Sequence, residues 1–90
     1  MADSTYEIEY KKSVEKDLRK LPASQLKAIV AKIQNLATEP HPNGSVKLHE
    51  ASNLFRIRHT DYRVVYQVIN NRLIVLIVKV GHRREVYREP

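Results

Sequence analysis

Apolar and polar positions alternate near the start of the chain, where Glu7 and Glu9 separate Tyr6, Ile8 and Tyr10. A spacing of two predicts a short edge strand. From Lys11 the period lengthens: Val14, Leu18 and Leu21 fall on one side of a helix running to about Lys20, with lysines and acids elsewhere. Pro22 ends that segment and is tolerated in the first turn of the next. Leu26, Ile29, Val30, Ile33 and Leu36 then recur at helical spacing, which predicts a second amphipathic helix to about Ala37 and hence a helical hairpin. Glu39-Pro-His-Pro-Asn-Gly44 reads as loop, and Val46 to Glu50 as a short extended piece.

Alternation returns in the last third. Leu54 to Arg58 and Tyr62 to Ile69 read as strands separated by His59-Thr60-Asp61. Asn70-Asn71 suits a two-residue hairpin turn, after which Arg72 to Val80 comes back as a strand. Ile74 to Val78 are apolar on both faces, so this strand is expected to be central, with the helices against one side. The order is β-α-α-β-β-β, an α+β fold in which an N-terminal strand and a helical hairpin precede antiparallel strands of a small twisted sheet. Ninety residues enclose one small core, so a single domain over 1–90 is expected, with 1–5 frayed.

Arginines interrupt the strand pattern at Arg56, Arg58 and Arg63, and His82-Arg83-Arg84 follows the last strand with Tyr87 close behind. A strand does not need these charges. Arg56 and Arg58 are two apart, so they project from one face about 7 Å from each other, at ~3.3 Å of rise per residue. Guanidinium groups grip phosphate oxygens through planar, two-pronged hydrogen bonds, so such a cluster beside a tyrosine is a candidate nucleic-acid site. Isolated surface arginines are common, and Arg83 and Arg84 taken singly have that plainer reading. The trio is harder to dismiss, because arginines on adjacent strands repel unless an anion or acid lies between them, and only Asp61 is near in sequence.

Charge distribution reinforces this. Residues 1–55 hold eight Lys/Arg against seven Asp/Glu, a balance of +1, whereas 56–90 hold eight against three, a balance of +5. Basic surfaces attract nucleic acid, anionic membrane or acidic protein, and charge alone does not separate these. A membrane surface would call for a basic amphipathic helix where strands are predicted, leaving nucleic acid and an acidic partner. The chain has no cysteine, which excludes a disulfide framework and a thiolate metal site. MADSTYEIEYKK lacks the apolar core of a signal peptide, and the apolar run Leu73 to Val78 is too short to span a bilayer, so a cytoplasmic location is expected.

His82 is the histidine beside the basic cluster, and imidazole exchanges a proton near neutrality. His41, His49 and His59 lie in loop-like contexts without metal-ligand spacing and read as solvated, while Tyr62 and Tyr66 read as core. Tyr87 has two structural readings, a ring packed on the sheet or a hydroxyl bonded at its rim. There is no glycine-rich phosphate loop and no acidic pair suited to magnesium, so the expectation is chemistry with no cofactor and no metal.

At these residues the chain resembles the RelE branch of the RelE/ParE toxin superfamily, the mRNA-cleaving toxins of toxin–antitoxin pairs. The resemblance covers nearly the whole chain and is most specific in Leu54-Phe-Arg-Ile-Arg58, Asp61-Tyr-Arg-Val-Val-Tyr66 and Val80-Gly-His-Arg-Arg-Glu-Val-Tyr87. It implies a toxin that enters the ribosomal A site, cuts the exposed mRNA by metal-independent attack of a 2′-hydroxyl, and is neutralised by a RelB-like antitoxin. Operator DNA is then met only through the toxin–antitoxin complex, and no membrane is involved. The implied catalytic residues are Arg56, Arg58, Arg63, Arg83 and Tyr87, with Arg84 and Lys47 as RNA contacts. Relatives carry lysines where this chain has Arg56 and Arg58; arginine, with a pKa above ~12, is a poor proton acceptor, so His82 becomes the candidate for proton transfer. Two alternatives remain open: a ParE-like toxin that inhibits gyrase, and an inactive RelE-fold protein that only binds an antitoxin.

Overall fold

The computed structural model of the protein describes residues 5–48 and 53–82. Strand β1 (Glu7–Tyr10) is followed by helices α1 (Lys12–Arg19) and α2 (Ala23–Asn35), then by strands β2 (Val46–Lys47), β3 (Leu54–His59), β4 (Tyr62–Ile69) and β5 (Ile74–His82). The five strands form one sheet in the order β1-β5-β4-β3-β2. β1 runs parallel to β5 while the remaining neighbours are antiparallel, so the sheet is mixed. The α+β architecture expected from periodicity is observed, with the short extended piece at Val46 paired into the sheet as one strand more than expected, and β1 is an edge strand. β5 is interior, as its apolar run requires, although β4 occupies the middle.

Both helices cover one face. Val14 from α1 and Ile29 and Ile33 from α2, with Leu36 just beyond it, are fully buried against Ile57, Val64, Tyr66, Val68, Val75, Ile77 and Val80. Full burial of such a side chain is worth about 1.5–3 kcal/mol, which makes this face the main source of stability. Tyr66 is wholly inside, and its hydroxyl donates to the Pro40 carbonyl at 2.7 Å. Phe55 stacks on Tyr66 with ring centroids 5.8 Å apart, and His41 meets Phe55 edge-on at 4.5 Å. These contacts pin the Pro40–Pro42 loop to the sheet, so His41 is exposed yet packed.

Register matters most at one irregularity. Val64 faces Val80 and Val65 faces Lys79, but Tyr66 faces Ile77, so Val78 is an extra residue in β5. Simple alternation after Val75 and Ile77 would send Lys79 and Gly81 to the helical face. The bulge reverses this, placing Val80 and His82 on the helical side and Lys79 and Gly81 on the other.

Two turns differ from the sequence expectation. Asn70-Asn71 is not a two-residue hairpin: Asn70–Arg72 forms a 3-10 turn closed by Leu73 at φ 54°. The side-chain oxygen of Asn70 instead accepts a hydrogen bond from the Tyr6 hydroxyl at 2.5 Å, tying this turn to the chain entering β1. The tight connection is Thr60-Asp61, because His59 pairs directly with Tyr62, and Thr60 takes φ 54°. His59 accordingly ends β3, half-buried, rather than lying in a solvated loop. No helix among the described residues is long and apolar enough to cross a membrane.

Candidate active site

The face opposite the helices carries the arginines. Arg58 on β3 stands directly across from Arg63 on β4, and Arg56 stands across from Val65. Cross-strand partners share a face, so Arg56, Arg58 and Arg63 project together; the spacing of Arg56 and Arg58 predicts their common side, and the register adds Arg63 to it. On the other side of Arg63 the partner is Gly81, which brings no side chain to that face. Like charges directly opposite one another repel across a sheet, and an anion placed between them relieves that repulsion.

The three differ in exposure. Arg58 is exposed and Arg56 half-buried, whereas Arg63 is only 5% exposed, which is rare for an arginine. An Arg63 terminal nitrogen reaches the Tyr62 carbonyl at a long 3.4 Å. The guanidinium is thus held in the sheet by its surroundings, whereas the Arg58 side chain is exposed. Next to this face, Lys79 of β5 forms an ion pair with Asp17 of α1 at 3.8 Å.

His82 is not brought to these arginines. It pairs with Tyr62 on the helical side, the rings meeting edge-on with centroids 5.7 Å apart. It lines a hollow of about 130 Å³ with Asp17, Lys20, Leu21, Tyr62, Val80 and Gly81. Lys47 is also separated: opposite Phe55, it shares the helical face, while Val46 is the residue opposite Arg56. Arg83, Arg84, Tyr87 and His49 lie outside the described residues.

Two residues that sequence reading passed over shape the surroundings. Beyond Tyr10, which pairs with Ile77, β5 loses its β1 neighbour and α1 takes over that edge. There a side-chain oxygen of Asp17 accepts a hydrogen bond from the Val80 N–H at 3.1 Å. An acid three residues after Val14, within the apolar stripe of α1, was the available signal. On the other flank Lys32 Nζ donates to the Arg58 carbonyl at 3.1 Å, closing part of the β3 edge that the short β2 leaves uncovered.

The arrangement is therefore a cationic face at one end of a rigid sheet, able to bind a phosphodiester and offset charge developing on it. Residues 8–87 match the family described as ParE toxin of type II toxin-antitoxin system, parDE. The chain belongs to this toxin family. Its curated relatives are of the RelE type: it is 31% identical over 84 residues to toxin RelG of Mycobacterium tuberculosis, covering 92% of this chain and 97% of that one. It is 30% identical over 88 residues to the mRNA interferase toxin RelE of Escherichia coli K12, covering 93% and 92%. Among solved structures, the RelBE2 toxin–antitoxin complex of M. tuberculosis superposes with a TM-score of 0.76 at 30% identity, over 88% of this chain and 99% of that one. Isolated E. coli RelE superposes with a TM-score of 0.76 at 26% identity, over 93% of each. The protein is a RelE-family toxin of a type II toxin–antitoxin system.

Proposed function

We propose that this RelE-family toxin is a ribosome-dependent mRNA endoribonuclease that cuts message in the A site without a metal. The observation carrying this reading is the opposition of Arg58 and Arg63 with Arg56 beside them on one face, a placement that favours a bound phosphate. In the reaction, an RNA 2′-oxygen attacks the adjacent 3′-phosphorus, its proton is removed, and the bond from phosphorus to the 5′-oxygen breaks. The products are a 2′,3′-cyclic phosphate and a 5′-hydroxyl that has gained a proton. Arg56 and Arg58 hold the phosphate, and Arg63, fixed by burial, meets the charge that grows on the phosphorane.

Arg83 and Tyr87 enter by resemblance: Arg83 as a further phosphate ligand, Tyr87 as the ring on which an mRNA base stacks. Arg84 contributes charge toward RNA. Proton transfer falls to Tyr87 or to the ribosome, because arginine is a poor base and the register turns His82 toward Tyr62. The relative named mRNA interferase supports the enzymatic reading. The relatives solved with RelB support a RelB-like antitoxin as partner, and the basic last third suits an acidic segment of it.

Cleavage of mRNA on programmed ribosomes, with fragment ends mapped, tests the proposal. Cleavage in the A site that persists with chelator and vanishes when the 2′-hydroxyl at the cut is replaced by hydrogen is the expected result. A ParE-like action on gyrase is the second reading, favoured by the description of the matching family. It predicts growth arrest with intact message; an inactive antitoxin-binding protein predicts neither.

A further inference from the structure

β2 pairs with β3 only at Phe55 and Arg56. Just before β2 the chain turns away, with Ser45 N–H bonded to the Pro42 carbonyl at 3.0 Å and Gly44 at φ 92°. Between this turn, the end of α2 and the uncovered part of β3 lies an open cleft of about 260 Å³. It is lined by the apolar Ile57 and Pro42, by the cationic Lys32 with Arg58 at its border, and by the amide residues Asn35 and Asn43. No acid lines it. Its volume is below the ~300–1,000 Å³ of drug-sized ligand sites, the size class of a single nucleotide fragment.

Three features specify the occupant. Lys32 spends one of its three ammonium donors on the Arg58 carbonyl, which fixes the charge at the cleft and leaves two donors for an anion. Amides present both a donor and an acceptor, the pattern that pairs with the edges of nucleobases. Arg58 lines the cleft, where its carbonyl meets Lys32, and carries its side chain on the arginine face, so the two sites adjoin at this residue and one polymer can reach both.

We propose that this cleft is a subsite for one nucleotide of the bound RNA, next to the phosphate held by Arg56 and Arg58. The base lies over Ile57 and Pro42, its edge is read by Asn35 and Asn43, and its phosphate is met by Lys32. This deepens the endoribonuclease reading and rests on it for the identity of the polymer. The cleft therefore contributes to sequence preference at one position beside the cut.

The test is an NMR titration of the full chain with each of the four nucleoside 5′-monophosphates and with inorganic phosphate. Saturable shifts at Asn43, Gly44 and Ile57 are expected, stronger for one base than for the others and weaker for inorganic phosphate. Lys32→Met should abolish binding, and Asn43→Ala, in an exposed turn, should reduce the preference between bases about 10-fold, the scale of one lost polar contact. Inorganic phosphate acting as strongly as every nucleotide, or shifts that bypass Gly44 and Ile57, overturns the subsite. Ribosome assays run in parallel separate the two claims. Nucleotide-specific shifts in a protein that leaves message intact keep the cleft and overturn the nuclease; a cleaving protein with a silent cleft does the reverse.

Discussion

Asp17 on α1 accepts a hydrogen bond from the Val80 backbone N–H at 3.1 Å, taking the place of a neighbouring strand where β1 has ended. The same carboxylate stands 3.8 Å from the Lys79 ammonium, and its side chain is only 11% exposed. One acid thus fastens the helix to the last turn of sheet before the basic C-terminal segment.

Removing that carboxylate should destabilise the protein. Asp17→Ala leaves the Val80 N–H without its partner, at a cost of about 1–3 kcal/mol. Asp17→Asn keeps an acceptor and should lose less. Urea denaturation gives the free energies, and amide exchange at Val80 locates the effect; exchange in Asp17→Ala as slow as in the wild type would contradict it.

Loss of either opposed arginine should lower cleavage with little change in fold. Arg58→Ala and Arg63→Ala are each expected to slow single-turnover cleavage on ribosomes by about 10²-fold, the scale of a lost oxyanion donor. Arg72→Ala, in the exposed turn before β5, removes the same charge elsewhere and serves as the control. An equal effect in all three would mean that net charge, not placement, is being measured.

His82→Phe preserves an aromatic ring against Tyr62 but cannot carry a proton. Because the bulge turns this side chain away from Arg58 and Arg63, the cleavage rate should be retained. A large loss of rate, together with loss of a pH-dependent limb in the histidine range, would return His82 to the chemistry.

Burial raises the Tyr66 hydroxyl above its ordinary value of 10.0, opposed by a hydrogen bond with Ser45. The folded protein therefore keeps this proton where the unfolded chain has lost it. The stability it contributes is complete below the unfolded value and is lost as pH climbs through the raised folded one. Tyr10 is raised by burial as well, so Tyr66→Phe should weaken the alkaline fall in stability without removing it. Urea midpoints between about pH 9 and about pH 11 measure the slope. At neutral pH the same variant should be less stable by about 1 kcal/mol, since the Pro40 carbonyl loses its donor.

Gly44 shapes the turn beside the cleft through its backbone alone. A Cβ there meets nothing within 4 Å, yet φ is 92°, a region side chains rarely adopt. Gly44→Ala should cost more than about 1 kcal/mol from strain, seen as a lower thermal midpoint. An unchanged midpoint would show that the turn relaxes freely.

Periodicity alone determined much of this protein. The alternation at Tyr6–Tyr10, the helical stripe from Leu26 to Leu36 and the apolar run Ile74–Val78 place an edge strand, a core helix and an interior strand, because burial on one face or two leaves a direct imprint on residue spacing. The shared face of Arg56 and Arg58 follows from the same rule. Local spacing does not report which strands become neighbours or where a ladder slips. Arg63 came to lie opposite Arg58, and deeply buried, only through the β3–β4 register. His82 and Lys47 left the arginine face for equally nonlocal reasons, the extra Val78 in β5 and the pairing of Lys47 with Phe55. Asp17 and Lys32 acquired their roles because α1 and α2 dock where sheet edges would otherwise expose unpaired backbone groups, a condition that exists only once the sheet has formed.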